Sequence, residues 1–173
     1  MLKELLKSLE NSDVFLDWKK AHFKAYLSHF FVQVSSDLEI KAAWEIGYYN
    51  PEDEKVSTFS LDDDNEFFLK DSDDVFKKDE SKVEKLKLND VKLVYNEATD
   101  KFRKLVLKEF PSVMSMLGDG FVILQNIKGQ NTWNLTLVTQ KLTMVNIKID
   151  TDKGKLIKKD EINFLYPGQS KAS

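Results

Sequence analysis

Leucine recurs at positions 2, 5, 6 and 9 of the opening stretch LKELLKSL, a three-and-four spacing that predicts a short amphipathic helix. Asn11 or Ser12 can cap a second helical segment, expected to run to about Phe31. Its apolar set includes Phe15, Trp18, Phe23, Leu27, Phe30 and Phe31, too wide for one stripe, so the segment is expected to pack on two sides. From Leu38 the period drops to two: Leu38, Ile40, Ala42, Trp44, Ile46 and Tyr48 alternate with more polar neighbours, which predicts a strand with one buried face. NPEDE then reads as a turn, KVSTFSL as a second strand, DDDN as a further turn and EFFLK as a short third strand.

The stretch from 71 to 92 is charge-rich and weakly periodic and reads as a connector. A helix follows, with Asn96 as the expected N-cap, Glu97 in its first turn and Pro111 as its stop. Four strands complete the pattern. Phe121 to Ile127 is the first, and Trp133, Leu135 and Leu137 alternate along the second. Met144 to Ile149 is the third and Lys155 to Phe164 the fourth. The turn DTDKG between the last two places Gly154 where a positive φ is needed. Helix and strands therefore occur twice. The expected fold class is α+β, with antiparallel sheets each covered by a helix in two pseudo-duplicated helix-then-strands units. The divisions are 1–70 for the first unit, 71–85 for a charged connector, 86–166 for the second unit and 167–173 for a frayed tail.

Two quoted stretches carry a family likeness. VKLVYNEATDKFRKL, followed by WNLTLVTQKLTMVNIKIDTDKGKLI, resembles the PepSY domain family of peptidase propeptides. The matching parts are Glu97 and Ala98 opening a helix, Trp133 to Leu135 in a strand, and Ile149-Asp150 with Gly154-Lys155-Leu156 around a turn. AAWEIGYYNPEDEKVSTFSL looks like a degenerate second copy without the glycine, and the whole chain is similar to archaeal proteins of this arrangement. The resemblance implies a small α+β unit and a role in binding or inhibiting a peptidase. Its motifs specify a turn and a core, not a reaction.

Composition narrows the function classes. The chain has 173 residues, 42% of them apolar, which is enough for a sizeable core. Charged residues make up 32%, but the signs nearly cancel at a net charge of -3, so general nucleic-acid binding is not expected. Cysteine is absent, which excludes disulfides, thiolate metal sites and a cysteine nucleophile. No window approaches the apolar length of a membrane span. The N-terminus lacks the pattern of a signal peptide, so the expected location is cytoplasmic, or extracytoplasmic if a leader was removed.

Candidate chemistry is sparse. His22 and His29 lie seven apart, on nearly one face of the expected second helix, but a zinc site wants a third ligand and closer spacing. Asp62, Asp63, Asp64, Glu66, Asp71, Asp73 and Asp74 form an acidic run. It has Phe67 where a calcium loop needs Gly, and Asp73 where it needs a bidentate Glu, so it reads as a solvated turn. GDG at 118–120 is a lone glycine pair, and the NLT acceptor sequence at 134–136 falls inside a strand. No catalytic, metal or cofactor site is assigned. The adjacent pairs Tyr48-Tyr49 and Phe67-Phe68 are the candidate binding residues, because neighbouring strand side chains point to opposite faces and one of each pair must leave the core. The expectation is a non-catalytic protein- or peptide-binding domain, with a homo-oligomer open and a peptidase as a possible target. Two other readings stay open: a small-ligand carrier with a cavity between helix and sheet, and an enzyme using His22 or His29.

Overall fold

Ser12 ends one helix and starts the next. Helix α1 spans Leu2–Glu10 and α2 spans Asp13–Ala21; the Ser12 hydroxyl donates to the Leu9 carbonyl and accepts the Phe15 N–H. These features come from a computed structural model that describes residues 1–70, 73–74, 83–141 and 143–163. Most of the charged connector and all of the tail at 167–173 lie outside the described residues.

The second helix is half as long as its apolar pattern suggested. It stops at Ala21, capped by His22, and the chain turns through Phe23 and Lys24 into strand β1, Tyr26–Val34. Phe30, Val32 and Val34 alternate into the core with a period of two, and β-branched and aromatic residues favour that extended backbone. No Gly or Pro marks the break, which is why the apolar run reads as one helix.

Strand β2 is also shorter than expected, at Glu45–Asn50. Leu38 has a φ of 63°, so the chain from Ser35 to Trp44 folds as a loop, tied to β1 by a single bridge between Val34 and Ile40. Strand β3 (Lys55–Leu61), β4 (Phe67–Leu69) and the two-residue β5 (Asp73–Asp74) follow. Helix α3 covers Tyr95–Glu109. Its N-cap is Val94 rather than Asn96, and the Glu97 carboxylate reaches back to accept the Val94 N–H at 3.2 Å. Pro111 opens a 3₁₀ turn that leads into β6 (Leu117–Ile127), β7 (Gln130–Thr139), β8 (Thr143–Asp150) and β9 (Leu156–Asn163).

All the described strands belong to one sheet rather than two. Its order is β4-β3-β2-β1-β6-β7-β8-β9, with β5 also on β3, and every pairing is antiparallel. The seam between the chain's halves is the β1–β6 ladder, running from His29 opposite Gln125 to Val34 opposite Gly120. The fold is α+β, with one large antiparallel sheet and three α-helices among the described residues.

The helices gather on one face. Phe15 and Trp18 of α2 meet Tyr48 and Phe59, and the Trp18 indole donates to the Ser57 hydroxyl at 3.2 Å. Over the other half, Tyr95 of α3 packs on both Trp44 and Trp133. Phe102 and Val106 continue the same stripe into one core with Phe30, Val122, Leu135 and Ile147. Trp133, Phe30, Phe59 and Phe102 are wholly enclosed, and each such side chain contributes about 1.5–3 kcal/mol over an exposed one. No described helix is long and apolar enough to cross a membrane.

Candidate functional site

Register fixes which residues reach the face that no described helix covers. Cross-strand partners share a face, so His29, Phe31 and Gln33 of β1 stand beside Gln125, Ile123 and Phe121 of β6. The rings of Phe31 and Phe121 stack with centroids 5.5 Å apart at the middle of the sheet. Both are half-buried, as is Ile123. Toward β8 the same face turns polar: the Asn146 amide donates to Asn134 Oδ1 at 2.7 Å and to Thr136 Oγ1 at 2.9 Å, and all three are buried. Asn134, the first residue of the glycosylation-like NLT, is therefore a ladder residue held by a neighbour.

The aromatic pairs divide as strand geometry requires, but they do not form one patch. Tyr48 points into the core and donates to Glu10 Oε1 at 2.8 Å; burial first, then that bond, holds its hydroxyl pKa well above the usual range. Tyr49 takes the open face, yet it is only 4% exposed, with Tyr26 against it at 5.6 Å. Phe67 packs on the core, while Phe68 is 40% exposed. Tyr49 pairs with Val56 and Phe68 with Ser60, so the two outward rings stand four residues apart along β3, roughly 13 Å.

The histidines do not share a helix face. His22 caps α2, stacks on Trp18 at 4.7 Å and places Nδ1 2.8 Å from the Trp18 carbonyl. His29 lies on β1 across from Gly47, with Nδ1 2.9 Å from the Ser28 hydroxyl. A Cβ at Gly47 would lie only 2.1 Å from His29 Cε1, so the missing side chain is what lets the imidazole lie on the sheet. Burial lowers the His29 pKa to about 4, against a smaller opposing pull from Glu45. Neither imidazole is hydrogen-bonded to a carboxylate among the described residues. Among the described residues, no three His, Asp or Glu side chains gather at metal-binding distance.

The acidic run resolves into a turn. Asp62 Oδ1 accepts the N–H groups of Asp64 and Glu66 at 3.0 and 2.9 Å, which closes the β3–β4 connection. Asp73 and Asp74 pair with Val56 and Lys55, and Asp71 lies outside the described residues. In GDG, Gly118 and Gly120 belong to β6, and Asp119 forms an ion pair with Lys41.

An open cleft of about 700 Å³ lies on the helix side, between α1 and the extended chain at 85–88. Lysines from both walls line it. The KLKL alternation at 85–88 carried the signal for this wall, hidden by its charge-rich surroundings. Phe31 and Phe121 were missed as a pair because Phe31 read as helical.

No family model matches the chain, and no curated protein or solved structure matches it.

Proposed function

We propose that this chain is a non-catalytic binding module that takes a protein or peptide partner on the open face of its sheet. The observation that carries the reading is the placement of the stacked Phe31 and Phe121 rings, with Ile123 beside them, at the centre of a face without a described helix. An apolar centre edged by the exposed Gln33 and the half-buried Gln125 has the layout of a protein interface, with a dry middle and a polar rim. Two PepSY-like units are the finer reading of the fold. Its support is the strand order: β1 to β4 step outward from the seam in one direction, and β6 to β9 in the other. Trp44 and Trp133 stand at or just before the second strand of each half. The PepSY resemblance directs the partner search toward peptidases.

The test compares three baits: the unaltered chain, the double variant Phe31→Glu with Phe121→Glu, and Leu107→Glu, which alters an exposed apolar residue on the opposite layer. Matched circular dichroism spectra establish that all three are folded. A partner retained by the unaltered chain and by Leu107→Glu, but lost from the double variant, supports the open face. Equal retention by all three, or no partner for any, rejects it.

A further inference from the structure

We infer that the cleft between α1 and the 85–88 segment is a docking groove for an extended acidic peptide with carboxylates at alternate positions. It lies on the helix side of the sheet and stands independently of any partner on the open face.

Two rows of positive charge face this groove. Lys3 and Lys7 are one helical turn apart on α1, both exposed, which sets neighbouring positions about 6 Å apart. Lys85 and Lys87 flank the buried Leu86 on extended chain, so they emerge on the same side, about 6.6 Å apart. That wall is fixed: the Leu86 N–H donates to the Leu27 carbonyl at 2.9 Å, and the amides of Asn126 and Asn131 donate to the Lys85 and Lys87 carbonyls. Among the described residues, none of these four lysines has an ion-pair partner, whereas Lys20, Lys24, Lys41, Lys70, Lys92 and Lys159 all do. A fifth lysine, Lys19, sits lower and donates to the Ala25 carbonyl. Its ammonium pKa is lowered by burial first and by Lys85 further, with Glu10 pulling the other way. The groove thus holds like charges close enough to repel, in a protein whose net charge is -3.

The opposing charges are few. Glu10 already accepts the Tyr48 hydroxyl, and Asp90 sits at the 3₁₀ turn that ends the wall. A peptide carboxylate placed every second residue repeats at roughly 6.6 Å, the pitch of Lys85 and Lys87. Half-buried Leu6 offers the intervening side chains an apolar contact. The floor argues against a lipid: Phe15, Leu27, Tyr48 and Leu86 are all buried, so among the described residues no tunnel receives an acyl tail. It argues against nucleic acid too, because the Phe15 and Tyr48 rings are sealed in the core and unavailable for base stacking.

The test uses the full chain and a fluorescein-labelled ten-residue peptide with aspartate alternating with leucine and serine, followed by anisotropy. The expected result is saturable binding that weakens as salt rises. Lys85→Glu with Lys87→Glu, and separately Lys3→Glu with Lys7→Glu, should each weaken it by about ten-fold or more. Lys104→Glu, exposed on α3, should leave it unchanged, and thermal melts should show every variant folded. No binding, an equal loss with Lys104→Glu, or equal affinity for an aspartate-to-lysine peptide would overturn the proposal. Tighter binding of a single-stranded oligonucleotide or of oleate would overturn it in favour of those ligands.

Discussion

Trp44 and Trp133, one from each half of the chain, meet inside the core with ring centroids 6.5 Å apart, and Tyr95 packs against both. Their polar ends differ. The Trp133 indole donates to the Leu93 carbonyl at 2.9 Å, while the buried Trp44 N–H has no partner among the described residues. Trp133→Phe removes a made hydrogen bond, whereas Trp44→Phe removes an unmade one. Urea denaturation should therefore show Trp133→Phe as the costlier change by about 1–2 kcal/mol. Trp133→Ala should cost about 3–5 kcal/mol. Equal losses for the two Phe variants would contradict the assigned pairing.

Gly154 is held at a φ of 69°, and a Cβ there would lie 2.9 Å from Lys101 Cγ and 3.2 Å from Leu93 Cδ2. Gly154→Ala meets both a disfavoured backbone and the α3 side of the core, so it should cost about 1 kcal/mol or more. An unchanged melting temperature would refute this placement.

The turn around Gly154 also depends on Asp150, whose carboxylate accepts the N–H groups of Asp152, Lys153 and Lys155 at 2.7–2.9 Å. Burial would raise its pKa, and the backbone donors together bring it below the ordinary aspartate value. A depressed carboxylate stabilises the fold above its unfolded pKa and loses that contribution as pH falls through the folded one. Asp150→Asn should therefore be destabilised at pH 7, with its deficit against the parent narrowing in strong acid. A deficit constant from pH 7 downward would exclude the linkage.

His29 has the opposite leverage. Its folded pKa of about 4 lies below the ordinary 6.5, so the unfolded chain binds the extra proton between those values. Its neutral form favours folding fully above about pH 6.5, and the advantage is lost as pH falls toward 4, about 3 kcal/mol in all. Equilibrium denaturation should show the parent losing stability relative to His29→Phe as pH falls across that window. Parallel curves would show that the imidazole is solvated.

A fragment beginning at Leu86 should fold poorly. It would keep β6 to β9 and α3, yet β6 would lose β1, and Trp133 and Tyr95 would lose Trp44. Exposed apolar surface of that extent favours aggregation. A cooperatively melting monomer would show instead that the halves are independent.

Legibility in the sequence followed the strength of local periodicity. The last four strands, the Gly154 turn and the first helix were readable because apolar residues there keep one period to a clear turn or cap. The stretch from His22 to Val34 was not, because aromatic residues at three-and-four spacing run into alternating ones without a helix-breaking residue between them. That one misreading hid β1, and with β1 went the single sheet, the separation of the histidines and the Phe31–Phe121 contact. The expected strand from Leu38 failed differently: alternation there serves a loop whose side chains Leu38 and Trp44 are buried beneath α3, with the Tyr95 hydroxyl donating to the Leu38 carbonyl. A long-range partner leaves no mark on the period of either strand.

The β1–β6 seam also sets a schedule. β1 is made early, and the strand that completes it is made roughly ninety residues later. At about 5–20 residues per second on the ribosome, the nascent chain carries a central strand paired only with β2, its other side open, for several seconds. For that interval β1 is an edge, and its Phe30, Val32 and Val34 lack the second half of their core. The vulnerable species of this protein is therefore the half-synthesised chain. Slowing translation beyond residue 70 should raise its dependence on chaperones without changing the stability of the finished fold.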